Sequence, residues 1–141
     1  VLEANVDDMT GELAAHALQT LLASGALDAW AAPVTMKKGR PGLVISALSR
    51  AADAARLAEV FLRETPTLGV RSSRATRFER PRHVIMVTTP FGEIPVKIGG
   101  GPYGRRTAKP EFDACVEAAV RANVPVRVVI AAALVAAESS G

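Results

Sequence analysis

The sequence predicts an α+β fold. A ferredoxin-like βαββαβ sandwich spans residues 1–80, and a β-hairpin with a helical C-terminal appendage spans residues 81–141. Three observations carry this expectation. Strand-like and helix-like segments succeed one another in the order β-α-β-β-α-β, the split βαβ arrangement. Helix-starting and helix-stopping residues stand at the boundaries: Thr10 before the first helix, Gly25 after it, Pro66 after the second. The run Met36-Lys37-Lys38-Gly39-Arg40-Pro41-Gly42 separates two apolar stretches and is punctuated like a hairpin tip.

The elements follow in order. Val1 to Val6 alternates loosely and reads as a short strand ended by Asp7-Asp8. Thr10 is the expected N-cap of a helix whose first turn holds Glu12, a carboxylate suited to the helix dipole. Leu13, Ala14, Ala17, Leu18, Leu21 and Leu22 recur at helical spacing, and Gly25 closes that helix. Leu27–Thr35 and Leu43–Leu48 are the next strands, on either side of the basic tip. Ser49 is placed to cap a second helix with Leu57, Ala58, Val60 and Phe61 toward the core. Val70–Phe78 alternates and reads as a fourth strand, rich in arginine.

Beyond residue 80, His83–Thr89 and Ile94–Ile98 are the arms of a hairpin turned by Pro90-Phe91-Gly92-Glu93. Pro95 implies that the second arm is an edge or pairs on one side only. Gly99 to Arg106 is a glycine-rich, basic loop that lacks the Gly-Lys-Ser/Thr ending of a phosphate-binding P-loop. A third helix is expected from Pro110, with Phe112, Cys115, Val116, Ala119 and Val120 as its apolar stripe. Val126–Ala137 reads as a fourth helix or, on its β-branched start, as a strand.

Composition narrows the class. At 49% hydrophobic and 4% aromatic, the 141 residues can build a core of Ala, Val, Leu and Ile. A net charge of +3 suits a small anionic ligand and is a weak footprint for nucleic acid. No aromatic stacking motif surrounds Phe61, Phe78, Phe91 or Phe112. A single cysteine, Cys115, permits no internal disulfide and suggests a reducing, cytoplasmic setting. No signal peptide opens the sequence and no apolar run reaches membrane-spanning length. The chain starts at Val1 within a strand-like segment, as a piece of a longer polypeptide would.

Strand direction then gathers the unusual loops. With the first strand running upward, Asp7-Asp8, the Lys37-Lys38-Gly39-Arg40 tip and the Glu64-Thr65-Pro66-Thr67-Leu68-Gly69 loop all fall at one edge of the sheet. Carboxylates, cations and hydroxyls meeting there suit a divalent metal with a polyphosphate. Each element also has a plainer reading. Asp7-Asp8 are metal ligands or helix-capping acids; the tip is an anion site or a solvated turn; Glu64 is a ligand or pairs with Arg63 or Arg71. Arg71, Arg74, Arg77, Arg80 and Arg82 are solvated or paired with acids, Lys97 and Lys109 are surface lysines, and His83 is solvated. His16 reads as structural, and Cys115 as a buried, inert thiol.

Five stretches, taken together, resemble the C-terminal part of the LarC family of nickel-insertion proteins. They are Glu3-Ala4-Asn5-Val6-Asp7-Asp8-Met9-Thr10-Gly11-Glu12, Gly25-Ala26-Leu27-Asp28-Ala29, Met36 to Gly42, Arg63 to Arg71 and Lys109 to Cys115. The resemblance implies insertion of nickel into a pyridinium bis-thiocarboxylic acid mononucleotide, giving the nickel-pincer cofactor of lactate racemase. It also implies CTP split to CMP and pyrophosphate with Mn2+ or Mg2+, and a C-terminal part that binds metal–CTP and forms a homo-oligomer. Carried onto the converging loops, Asp7 and Asp8 become metal ligands. Lys37, Lys38, Arg40 and Arg71 become triphosphate contacts, and Thr65 and Thr67 contacts to phosphate or ribose. The sequence departs from the family in having Ala4 where Thr is expected and in its Gly- and Arg-rich 99–106 loop. It also lacks the family's histidine-rich N-terminal part suited to nickel, so the full insertion reaction is not expected of this chain alone. No membrane and no nucleic-acid partner is expected. Two other classes stand beside this reading: a ferredoxin-like module that binds a small anion without chemistry, and a nucleic-acid binder using the arginine strand.

Overall fold

A computed structural model describes residues 1–102 and 104–139. Elements run β1 (Leu2–Val6), α1 (Gly11–Ala23), β2 (Asp28–Met36), β3 (Arg40–Leu48), α2 (Ala54–Glu64), β4 (Arg71–Ser72), β5 (Arg82–Thr89), β6 (Gly92–Gly99), β7 (Thr107–Pro110), α3 (Phe112–Ala122) and α4 (Val126–Ser139). The fold is α+β, and the chain divides into two compact units, Val1–Thr76 and Arg77 onward.

The first unit is a four-stranded sheet in the order β2-β3-β1-β4, the order that βαββαβ topology requires. Leu2, Ala4 and Val6 alternate into the core with Ile45 and Ala47, where α1 and α2 add Ala14, Leu21, Leu57, Val60 and Phe61. The Thr10 hydroxyl accepts from the Leu13 amide at 3.3 Å, so the expected N-cap is in place. The end of α1 is a Schellman turn. There the Gly25 amide bonds to the Leu22 carbonyl and the Ala26 amide to the Leu21 carbonyl, both at 3.0 Å, and Gly25 carries φ +93°.

Two expectations for this unit are corrected. Ser49 does not cap α2: a 3-10 turn over Ala51–Asp53 intervenes, and the Asp53 carboxylate bonds Arg56 at 2.8 Å. The fourth strand is two residues long, with Arg71 opposite Glu3 and Ser72 opposite Leu2, so the arginine strand over 70–78 does not form. Ser73 still exchanges two backbone bonds with Val1, at 2.9 and 2.7 Å, and the alternation beyond it mimics a strand without a ladder partner among the described residues.

The second unit packs α3 and α4 on a three-stranded sheet, β5-β6-β7. Its core joins Val87, Ile94, Val96 and Ile98 to Cys115, Ala118, Ala119, Val129, Ala133 and Ala137. The hairpin forms as expected, closed at Thr89 opposite Gly92. The strand β7 was not expected, and it makes β6 a central strand instead of an edge. Pro95 is bonded on both sides, against expectation: it lies opposite Met86 on β5, and just past the last β7 pair, Val96–Pro110, its carbonyl accepts from the Glu111 amide at 2.9 Å. Pro110 therefore ends a strand, and α3 begins at Phe112. Of the expected α3 stripe, Cys115 and Ala119 are buried, Val116 is half-buried, and Phe112 and Val120 are exposed, while Ala118 joins the buried face. Asn123, at φ +53°, turns the chain into α4, so the open choice over residues 126–137 resolves as helix. Within the basic 99–106 loop, Tyr103 lies outside the described residues. Among the described residues no single helix is long and apolar enough to cross a membrane.

Candidate functional site

The site expected from sequence belongs to the first unit, at the Asp7 end of β1. Parity on β1 sets it up. Leu2, Ala4 and Val6 point into the core, so Glu3, Asn5 and Asp7 share the helix-free side of the sheet. Each meets a polar partner there. The Arg40 guanidinium donates to Asp7 Oδ2 at 3.2 Å. Arg71 donates to Asn5 Oδ1 at 2.5 Å and lies 3.9 Å from Glu3 Oε2. Buried Ser46 donates to Glu3 Oε1 at 3.2 Å.

The β2–β3 hairpin delivers Arg40. Its register runs to Met36 opposite Arg40, leaving Lys37, Lys38 and Gly39 as the tip. Lys38 has φ +62° and Gly39 φ +72°. Glycine takes that conformation freely, whereas a lysine there costs about 1–2 kcal/mol. Gly42 admits the close approach behind the tip. A Cβ on it would lie 2.7 Å from both Met36 Sδ and the Val6 carbonyl oxygen.

The Asp7–Arg40 pair is a surface pair, with Arg40 58% exposed and Asp7 21%. Such pairs contribute about 0–1 kcal/mol, so a ligand can part them at little cost. That frees a guanidinium fork for phosphate oxygens and a carboxylate for a cation. Asp8 is exposed beside it. Among the described residues no group of three His, Cys, Asp or Glu side chains is placed to hold a metal ion. Asp7 and Asp8 are hard oxygen donors that fit Mn2+ or Mg2+ only where a ligand supplies further oxygens, as a polyphosphate does.

The loop after α2 approaches from the β4 side. Because β4 runs antiparallel to β1 with Arg71 opposite Glu3, residues 67–70 extend toward the Asp7 end. Its hydroxyls are engaged in shaping that loop. Thr65, buried, donates to the Phe61 carbonyl at 2.8 Å, and Thr67 donates to the Gly69 carbonyl at 2.9 Å. Glu64 pairs with Arg63 at 2.7 Å and with His16 at 3.3 Å. Arg63 holds the Glu64 carboxyl below its ordinary range, with His16 adding to the effect. The structure thus joins Asp7 to Arg40 directly, carries Lys37 and Lys38 on the same tip, and sets the Arg71 guanidinium on Asn5, two residues from Asp7. Glu3, Asn5 and Ser46 were missed as site residues. The strict alternation Leu2-Glu3-Ala4-Asn5-Val6-Asp7 was the signal for the first two.

Comparison with known proteins gives the family and the fold. A family model described as nickel insertion protein matches residues 1–130. A Myxococcus xanthus protein, provisionally named a nickel insertion protein, is 47% identical over 96% of this chain and 35% of its own length. The Lactiplantibacillus plantarum pyridinium-3,5-bisthiocarboxylic acid mononucleotide nickel insertion protein is 37% identical over 98% of this chain and 33% of its own. The chain therefore spans about a third of these relatives. Among solved structures, LarC2, the C-terminal domain of a cyclometallase involved in synthesis of the NPN cofactor of lactate racemase, aligns in its apo form with a TM-score of 0.90. It is 36% identical, covering 97% of this chain and 94% of that one.

Proposed function

The chain belongs to the nickel insertion protein family, and on that premise we propose that it is the nucleotide-binding and oligomerising portion of a nickel insertase. In this reading CTP binds with Mn2+ or Mg2+ at the Asp7 end of β1 and is split to CMP and pyrophosphate. Nickel and the pyridinium bis-thiocarboxylic acid mononucleotide are the substrates of the longer protein. Lys37, Lys38, Arg40 and Arg71 take the triphosphate oxygens, Asp7 and Asp8 the divalent ion, and Thr67 a phosphate or ribose oxygen once its loop bond opens. Cations aimed at the leaving pyrophosphate would stabilise the charge that develops there. Thr65, whose proton is engaged in capping α2, serves by holding the loop.

The observation that carries this reading is the Arg40–Asp7 contact beside a left-handed Lys38. A strained lysine next to an exposed ion pair that is cheap to open is what a charged ligand site requires, and backbone strain of this kind concentrates at such sites. A second reading, metal-independent binding of a small anion without chemistry, draws on the lack of a three-donor metal group among the described residues. Calorimetry of the chain with CTP, ATP and pyrophosphate, each with and without Mn2+, separates the two. Mn2+-dependent preference for CTP, lost in Arg40→Gln, is the expected result. Equal, metal-independent binding of all three would replace it with the second reading.

A further inference from the structure

The second unit holds its own cationic cleft, made wholly from residues 77–109. Its volume is about 310 Å3, at the lower end of the range for small-ligand pockets. Sheet geometry builds it. Val96 and Ile98 point into the core, so Lys97 and Gly99 face the opposite side of β6. The registers Lys97–Lys109, Gly99–Thr107 and Arg82–Gly99 set these residues on that one side.

Two features exceed what a solvated sheet face needs. Lysines directly opposite one another repel and weaken a ladder. Glu111 pairs with Lys97, whereas Lys109 and Arg82 have no carboxylate partner among the described residues. Gly99 also lets the Thr107 and Arg80 side chains close down on the sheet: a Cβ there would lie 2.6 Å from Thr107 Oγ1 and 3.0 Å from Arg80 Cδ. Phe78, at the rim, is 88% exposed, an apolar ring with an uncovered face.

We infer that this cleft binds a mononucleotide, its phosphate monoester on Arg82, Lys109 and the Thr107 hydroxyl and its planar base stacked on Phe78. A guanidinium fork and a lysine point charge suit phosphate oxygens, and base–aromatic stacking adds about 1–3 kcal/mol. The inference deepens the proposed function and rests on it, giving the pyridinium mononucleotide substrate a seat apart from that of CTP.

The test is calorimetry of the 141-residue chain with nicotinamide mononucleotide, a pyridinium mononucleotide, in metal-free buffer. The comparators are inorganic phosphate and a short oligonucleotide. Saturable binding is expected, weaker by about tenfold or more in Arg82→Gln/Lys109→Gln, as loss of charge-assisted bonds implies. Phe78→Ala should weaken it by about fivefold or more, and Arg127→Gln, an exposed cation on α4, should leave it unchanged. Circular dichroism confirms that these exposed substitutions keep the fold. The inference is overturned by the absence of saturable binding, by inorganic phosphate binding as tightly as the mononucleotide, or by a loss in Arg127→Gln equal to that in Lys109→Gln. An oligonucleotide binding far more tightly with a steep salt slope would also overturn it, in favour of nucleic acid. Mn2+–CTP is titrated in parallel. If CTP fails to bind while the mononucleotide still depends on Lys109, the cleft stands and the proposed role of the first unit falls.

Discussion

The two units manage positive charge in opposite ways. In the first, the guanidinium groups of the site are set against oxygens: Arg40 on Asp7, and Arg71 on Asn5 and Glu3. In the second, Arg82 and Lys109 share a sheet face with Lys97, and only Lys97 has an acid. A corner where acids and bases neutralise each other when empty can accept a cation and an anion together. A corner left cationic accepts an anion alone. The contrast follows from strand parity. Acidic and amide side chains occupy the open side of β1, whereas β6 and β7 place lysine on lysine.

The largest expected effect tests whether the first unit's corner depends on its core. Phe61 is fully buried and its carbonyl receives the Thr65 hydroxyl that shapes the 64–69 loop. Phe61→Ala should cost about 3–5 kcal/mol. Trp30, the single tryptophan, lies on β2, so its fluorescence during denaturant unfolding reports this unit. A change below about 1 kcal/mol would mean that the α2 packing described here does not hold the unit together.

Next in size is the tip. Lys38→Gly removes the left-handed strain and should raise the first unit's stability by about 1 kcal/mol. The same change removes a proposed triphosphate contact and should weaken Mn2+–CTP binding by about tenfold. Stability and affinity moving in opposite directions is the signature of strain kept for function. If both rise, the strained lysine has no ligand role and the first unit's corner is only an ion-paired surface.

How much of this was legible in the sequence also divides by unit. Strong local signals lay in the first: the Thr10 cap, the Gly25 stop, the helical stripe through Ala14, Ala17 and Leu21, and a tip rich in Lys and Gly. The strand order followed from them. What escaped depended on partners. The Arg71–Phe78 alternation imitates a strand, yet pairing with β1 covers only Arg71 and Ser72. Lys38's backbone is set by hairpin closure at Met36 opposite Arg40, which residue type argues against. In the second unit, β7 is four residues long and ends on a proline, so Pro110 passed for the start of a helix. Without β7, Lys97 and Lys109 read as isolated surface lysines, and the cleft they share was invisible.

The smallest expected effect sharpens the comparison through pH. In the first unit the Glu64 carboxyl is held below its ordinary value, chiefly by the Arg63 bond and further by His16. A carboxyl lowered by folding stabilises the folded state above its unfolded value, and that contribution is lost as pH falls through the folded one. In the second unit burial raises the Cys115 thiol above its ordinary value. A group raised by folding contributes fully below its unfolded value, and the contribution is lost as pH rises toward the folded one. The first unit should therefore weaken on the acid side, below about pH 4.5, and the second on the alkaline side, above about pH 9. Glu64→Gln should flatten the acid limb seen by Trp30 fluorescence. Cys115→Ala should flatten the alkaline limb seen by hydrogen exchange in α3, leaving the acid limb unmoved. A Glu64→Gln chain that keeps its full acid sensitivity would show that the Arg63–Glu64 contact does not set that edge.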